Sequence, residues 1–283
     1  MDETVERLIE AALKEDIGAG DLTSRYFVPE DRQATGFIVA REAGVLSGGE
    51  IGVEVFRKVD PAVHAALLVS DGDRIAEGAY LIKVEGPARS ILTAERTVLN
   101  FMQRMSGVAS ATRQYVDAVK GTAAEILDTR KTIPGWRLLD KQAVLDGGGT
   151  NHRMGLYDRV MVKDNHLMSS GDPAELQAAI HSLKAEHPEV EVELEADRLE
   201  QVESFLAMEG VDYILLDNMS TIDMAKAVEM RGERRTPTLE ASGGVTLATV
   251  AGIAESGVDF ISVGAITHSV KALDLALDFI KRE

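Results

Sequence analysis

The 283-residue sequence contains no cysteine, which excludes disulfides, thiolate metal sites and a cysteine nucleophile. Aromatic residues are scarce at 5%, while Ala, Val, Leu and Gly are common, a mix suited to close helix–sheet packing in an α/β protein. No apolar run approaches the roughly 20 residues needed to span a bilayer, so no membrane partner is expected. Positive charge is also short: 30 Lys/Arg face 47 Asp/Glu, a net of −17. A nucleic-acid partner needs a basic face, so that balance argues against one. The stretch MDETVERLIEAALKED is acidic and amphipathic, unlike the basic start of a secretory signal. The expectation is a soluble cytoplasmic protein.

What is present is unevenly placed. From Asp128 to His166 seven Lys/Arg stand against five Asp, so this stretch is +2 and the remainder carries −19. His152 and His166 lie in it as well. Exposed charges are screened beyond about 8–10 Å at physiological salt, so a local basic cluster can hold an anion inside an acidic protein.

Apolar spacing predicts an amphipathic helix over 3–15, with Val5, Leu8, Ile9, Ala12 and Leu13 on one face. Short alternating segments separated by Gly and Asp follow from Ala34 to Pro87, a small and mostly β unit. Helical spacing then runs from Thr93 to Val119, with a domain boundary expected near Gly107. Beyond it strands alternate with helices: strands over 124–127, 159–162, 190–195, 213–216, 238–240 and 260–263, with helices between them. That alternation means parallel strands joined by right-handed crossovers, as an open sheet or a closed barrel. The strand tips carry charge, amide, hydroxyl or glycine in succession, which favours a (β/α) barrel with its site on the loops after the strands.

Three constellations carry chemistry. Ser242-Gly243-Gly244 and Gly264-Ala265-Ile266-Thr267 each follow a strand and open a helix, where backbone N–H groups can bind phosphate and His268 can add a donor. Tight turns alone are the plainer explanation of either one; two in succession at the last strands favour phosphate. Glu191, Glu193 and Glu195 alternate and so share one face of a strand, and Asp217 ends the next strand in LLDN. Two neighbouring carboxylates there suit Mg²⁺ held mainly through a phosphate ligand, although a capping Asp is the commoner role. Arg130, Lys131, His152, Arg153 and Lys163 form a cationic set, and Gly147–Gly149 permit close backbone approach just before His152. Ion pairs to Asp128, Asp158 and Asp164 are one explanation of the set; a ligand with several negative groups is the better one. On residues alone this is an α/β enzyme that holds a phosphate and a multiply charged anion, with no reaction specified.

The motifs EDIGAGDLTS, ERTVLNFMQRMSGVAS, DTRKTIPGWRLLDKQAV, GGGTNHRMGLYD, VKDNH, VEVELEADRLEQ, LLDN, LEASGG and VGAITHS run in order from Glu15 to Ser269. In that order they resemble the quinolinate phosphoribosyltransferases, type II phosphoribosyltransferases of NAD biosynthesis. The resemblance implies an N-terminal α/β sandwich over 1–107 and an incomplete seven-stranded α/β barrel over 108–269. A C-terminal helix over 270–283 is expected to pack back on the first domain. It implies transfer of the phosphoribosyl group of 5-phosphoribosyl 1-pyrophosphate to quinolinate with decarboxylation, giving nicotinate mononucleotide, pyrophosphate and CO₂, with Mg²⁺ as cofactor. It implies a homodimer with shared sites.

By motif, Arg104 would reach the neighbouring subunit's quinolinate. Arg130, His152, Arg153 and Lys163 would bind the two carboxylates, and Lys131 would lie between quinolinate and the sugar diphosphate. Glu195 and Asp217 would face the ribose and Mg²⁺-pyrophosphate. Lys131, Lys163, Glu195 and Asp217 form the expected catalytic set. Ser242, Gly243, Gly264 and His268 would hold the 5′-phosphate. Three other readings compete. One stays inside the superfamily: a related transferase acting on nicotinate or another acid, without decarboxylation. A barrel aldolase would use Lys163 as a Schiff-base nucleophile, but the other cations suit a dicarboxylate clamp better. A lipoyl- or biotinyl-carrier hairpin over VSDGDRIAEGAYLIKVEG would need its lysine at an exposed turn, and Lys83 sits inside the apparent strand.

Overall fold

The structure is a computed structural model that describes residues 1–163 and 172–280. Two compact units emerge: residues 1–113, 133–148 and 269–283 form one, and residues 114–132 and 149–268 the other. The division is therefore not a single cut near Gly107, since two later segments group with the first unit.

In the first unit, helix α1 (Glu3–Ile17) begins where the Asp2 carboxylate accepts the Thr4 N–H at 2.8 Å and ends at Gly18, whose φ is +53°. Val5 and Ile9 form its buried stripe. The short α2 (Leu22–Phe27) is capped the same way by Asp21. There follow β1 (Gln33–Ala40), β2 (Gly44–Val45), α3 (Gly49–Val59), β3 (His64–Leu67), β4 (Arg74–Ile75) and β5 (Tyr80–Pro87). Lys83 lies within β5 and pairs with Glu85, so the carrier-hairpin reading fails for want of an exposed turn lysine.

Helix α4 (Ala88–Ala118) is continuous through Gly107. That glycine serves a close approach rather than a break: a Cβ there would stand 2.3 Å from the Lys271 carbonyl oxygen. The buried face of α4 includes Ile91, Val98, Phe101, Met102 and Met105.

The second unit opens with β6 (Glu125–Leu127); α5 (Arg137–Asp146) then belongs to the first. It continues with β7 (Arg159–Val162), α6 (Pro173–Glu186), β8 (Glu191–Ala196), α7 (Leu199–Leu206), β9 (Tyr213–Asp217), α8 (Thr221–Arg231), β10 (Thr238–Ser242), α9 (Val250–Glu255), β11 (Phe260–Ser262) and α10 (Ala265–His268). Strand order is β6-β11-β10-β9-β8-β7 and every pairing is parallel, the result of one crossover helix between successive strands. This is an incomplete α/β barrel. Six strands are formed among the described residues, and the expected seventh is reduced to one parallel bridge between Leu127 and Thr150. Ile214, Leu215 and Leu216 are buried together, as a central parallel strand covered on both faces requires.

The expected C-terminal helix is corrected. Residues Leu275–Phe279 form a strand, β12, which pairs antiparallel with β1 and completes the sheet β12-β1-β5-β3. Leu275 is buried at its start, and Asp278 pairs with Arg41 at 2.6 Å. Helical and strand spacings overlap in so short an apolar segment, and the open edge of β1 decides between them. Among the described residues no helix is long and apolar enough to cross a membrane.

Candidate active site

Parallel pairing puts the C-terminal ends of all barrel strands at one rim, and the register aligns Ser242 with Asp217. Arg130 and Lys131 follow β6, His152 and Arg153 follow the Thr150 bridge, and Lys163 follows β7. Asp217 ends β9, Ser242 ends β10, and Gly243 and Gly244 continue from it. These residues line one cavity of about 640 Å³ together with Thr129, Met161, Leu215, Asn218, Glu240 and Ser262. Cations thus meet a carboxylate and a glycine loop across a single space.

Local structure explains the aim of each group. Asp128 is fully buried; its carboxylate accepts the His152 N–H at 2.8 Å, and its own N–H donates to the Thr150 carbonyl at 3.2 Å. That double tie fastens the His152–Arg153 loop to the end of β6. The Arg153 guanidinium donates to the Arg159 carbonyl at 2.9 Å and leans on the Met161 sulfur at 3.7 Å. The Lys131 carbonyl accepts from the Thr267 hydroxyl at 2.9 Å. Past Thr132, Pro134 and Gly135 make a turn in which the Trp136 N–H reaches the Ile133 carbonyl at 3.0 Å and Gly135 has φ +83°. At the opposite wall Gly243 and Gly244 take φ of +96° and +60°. Asn218 is also left-handed, at +53°, and its amide donates to the Asp217 carboxylate at 2.9 Å.

The three alternating glutamates share a face but diverge in surroundings. Glu191 pairs with Arg159 at 3.0 Å; Glu193 is fully buried; Glu195 pairs closely with Lys163. Glu195 is therefore held beside the cavity by one of its lining cations. Gly264 and His268 are not cavity-lining residues, yet Gly264 lies against both His268 and the Lys131 side chain, with ideal-Cβ separations of 3.1 and 3.2 Å. Arg104 is on α4 in the first unit, where it pairs with the fully buried Asp140 at 3.2 Å. Asp164, Asn165 and His166 of VKDNH lie outside the described residues.

Charge density perturbs several groups. Burial, and then the neighbouring Arg130, lower the pKa of Arg153 below the usual guanidinium range. Burial opposes a charge on His152, but Glu193 and Glu240 outweigh it and would hold the ring near 9. Burial, and then the neighbouring Glu240, raise Glu193. The His152 Nδ1 accepts the Arg153 N–H at 2.7 Å, however, and a proton on Nδ1 would turn that contact into two facing donors. We therefore assign the neutral Nε2–H ring.

His152, Glu193 and Glu240 also form a cluster of ligand-type atoms within 4.8 Å of one another. The Nε2–H ring has no lone pair there for a cation, so this cluster does not suit a metal. Glu240, Ser262 and Asn218 were not singled out from sequence. A signal existed for two of them: Glu240 and Ser262 precede Ser242 and Gly264 by two residues, and that spacing returns to the same strand face.

Two family models match the chain: Quinolinate phosphoribosyl transferase, N-terminal domain, over residues 21–106, and its C-terminal domain over residues 108–278. A Mycobacterium leprae protein named nicotinate-nucleotide pyrophosphorylase (carboxylating) is 45% identical over 275 residues, 95% of each chain. A chloroplastic Arabidopsis thaliana protein of the same name is 44% identical over 95% of this chain and 81% of its own. Among solved structures, the nicotinate-nucleotide pyrophosphorylase of Francisella tularensis superposes with a TM-score of 0.91 at 39% identity, covering 98% of this chain and 96% of that one.

Proposed function

Because the chain belongs to the quinolinate phosphoribosyltransferase family, we propose that its barrel cavity joins quinolinate to 5-phosphoribosyl 1-pyrophosphate. The products are nicotinate mononucleotide, pyrophosphate and CO₂, a decarboxylating pentosyl transfer that serves NAD biosynthesis. The observation that carries this reading is the juxtaposition of Arg130, Lys131, Arg153 and Lys163 with Asp217, Ser242, Gly243 and Gly244 around one cavity. A pyridine dicarboxylate needs paired cationic donors, and a phosphoribosyl donor needs a phosphate cradle and a carboxylate for its metal.

Arg130, Arg153 and Lys163, with His152 beside them, receive the two carboxylates. Lys131 lies between the acid and the sugar diphosphate. Ser242, Gly243 and Gly244, with Gly264 and His268 behind Lys131, take the 5′-phosphate; the positive φ of the two lining glycines lets their backbone approach closely. Attack of the pyridine nitrogen on ribose C1 develops oxocarbenium character, so the reaction depends on positioning and charge stabilisation more than on a strong base. C–N bond formation releases pyrophosphate and makes the ring a quaternary pyridinium. The C2 carboxylate then leaves as CO₂, its bonding electrons pass to the ring, and a proton replaces it.

Mg²⁺ fits the donor set at Asp217: a half-buried carboxylate on the cavity wall, oriented by Asn218, offers the hard oxygen this ion prefers. Bound with the diphosphate, the ion would neutralise charge on the leaving group. Glu195 is a weaker ligand because Lys163 already engages it. Arg104 completes the partner's site in a homodimer.

The decisive assay supplies the sugar diphosphate and Mg²⁺ with either quinolinate or nicotinate, and follows mononucleotide and CO₂. Quinolinate alone should react; mononucleotide formed from nicotinate would refute the assignment.

A further inference from the structure

Beneath the cations lie two acids that no role above uses. Glu193 on β8 and Glu240 on β10 are fully buried on strands that flank β9. Each brings a carboxylate oxygen to 3.4 Å from His152 Nε2. Glu240 also accepts the hydroxyl of Ser262, itself buried. Burying two acids together is costly, so their placement needs a compensating purpose. The opposite edge of the His152 ring supplies it: Nδ1 accepts the Arg153 N–H at 2.7 Å. A neutral imidazole has one donor nitrogen and one acceptor. The two carboxylates lie at ion-pair distance from Nε2 without hydrogen-bond geometry, and their negative charge draws the ring's one proton to that nitrogen. Nδ1 is thereby left as the acceptor, and its bond fixes the backbone from which the Arg153 side chain departs. The remaining contacts of Arg153, to the Arg159 carbonyl and the Met161 sulfur, then finish its aim.

We propose that Glu240 is a positioning residue for quinolinate: with Glu193 it selects the Nε2–H tautomer of His152, which locks the Arg153 backbone and aims its guanidinium into the cavity. The inference rests on the reading of this cavity as the quinolinate site. A direct contact between Glu240 and the substrate is not part of it, since a carboxylate would repel a dicarboxylate. Glu240 also shares β10 with Ser242, two residues away, so the sugar-diphosphate affinity is the internal control for general damage to the strand.

The test uses the full chain with ¹⁵N-labelled histidine and no ligand, the His152 resonances being assigned by their loss in His152→Asn. The wild-type ring should show a protonated Nε2 and a lone-pair Nδ1. An Nδ1–H or doubly protonated ring near pH 7.5 overturns the proposal. Calorimetric titration then compares quinolinate with the sugar diphosphate. Glu240→Ala, which removes one of the two negative groups facing Nε2, should weaken quinolinate about tenfold and change the sugar diphosphate less than about threefold. Glu240→Gln should recover part of the loss, because its amide oxygen keeps the negative end of a dipole facing Nε2 without the full charge. Ser262→Ala, which removes only the hydroxyl steadying Glu240, should reproduce a smaller loss of about two- to fivefold and decides the matter if Glu240→Ala does not fold. Equal weakening of both ligands with an unchanged tautomer overturns the proposal in favour of plain structural support. A wild-type chain that binds no quinolinate refutes the proposed function instead, which separates the two failures.

Discussion

Replacing Gly243 by alanine tests the geometry of the proposed phosphate wall, and Gly244 next to it is the natural control. Both have positive φ, +96° and +60°, so an alanine at either place costs about 1–2 kcal/mol in backbone strain. Only Gly243 has a neighbour in the way. Its Cβ would stand 2.2 Å from the Asn218 Oδ1 and 2.4 Å from its Cγ, whereas nothing lies within 4 Å of a Cβ on Gly244. Asn218 is exposed and can swing aside, so the clash is relieved by movement. The movement breaks the Asn218–Asp217 hydrogen bond of 2.9 Å. A bond to a carboxylate is worth about 1.5–3 kcal/mol, and exposure reduces this one to about 1 kcal/mol. Gly243→Ala should therefore lose about 2–3 kcal/mol of stability and Gly244→Ala about 1–2 kcal/mol. In scanning calorimetry that difference is about 2–4 °C for a chain of this size. In steady-state assays Gly243→Ala should also raise the KM for the sugar diphosphate more than Gly244→Ala does, because Asp217 loses its orienting partner. The Asn218→Gly background, which tolerates φ of +53° and removes the obstructing amide, should erase the difference between the two glycines. Equal effects of the two substitutions in the wild-type background would refute the steric account.

Other consequences follow from single contacts. Arg153→Lys keeps the charge but loses the planar fork braced by the Arg159 carbonyl and Met161, so the KM for quinolinate should rise about tenfold while that for the sugar diphosphate barely changes. Chelation of divalent cations should abolish turnover and added Mg²⁺ restore it; Asp217→Asn should raise the Mg²⁺ concentration for half-maximal rate, and an unchanged requirement would remove Asp217 from the metal's environment. Gly107→Ala drives a Cβ to 2.3 Å from the Lys271 carbonyl, a backbone atom with no rotamer escape, so it should cost about 2–3 kcal/mol in denaturant melts and leave the ratio of the two KM values alone. If sites are shared in a homodimer, inactive Arg104→Ala and Lys163→Ala chains mixed and refolded together should regain about a quarter of wild-type activity, since half the dimers carry one intact site. No recovery would mean that Arg104 serves its own chain, as its bond to Asp140 already does.

The sequence made the barrel legible because each strand is a short apolar run that meets a polar tip, and the six runs recur with helices between them. Strand bounds read from those runs agree with the structure to within two residues at every barrel strand, Thr238–Ser242 being the longest extension. One reading failed for a physical reason that no local pattern contains. Leu275–Phe279 is a strand because β1 has an open edge to accept it, and that edge is more than 200 residues away in the chain. Gly107 sits within a continuous helix because the backbone of Lys271 and Ala272 crosses it closely, a requirement that sequence spacing does not display. At the cavity, the cations and glycines announced themselves by clustering in sequence. Glu240 did not, because a lone acid in LEASGG is indistinguishable from a surface acid until the register shows it fully buried beneath His152.

The acidic balance of the whole chain takes on a local meaning at this cavity. Arg130, Lys131, Arg153 and Lys163 would repel one another strongly if left to themselves, and repulsion within a partly desolvated cluster weakens with distance far less than between exposed charges. The protein offsets it from behind: Asp128 and Glu240 are fully buried beside the His152–Arg153 loop, Glu193 lies under the same ring, and Glu195 holds Lys163. The buried acids are placed to tie down backbone and ring, leaving the cationic side chains to face the cavity. Lys163 differs, because its carboxylate partner stands beside it on the next strand. Under the proposed function an incoming dicarboxylate would share Lys163 with Glu195, whereas it would meet Arg130 and Arg153 on the cavity wall. The arginines are therefore suited to set affinity for the acid, and the Lys163–Glu195 pair to link its arrival to the ribose side of the site.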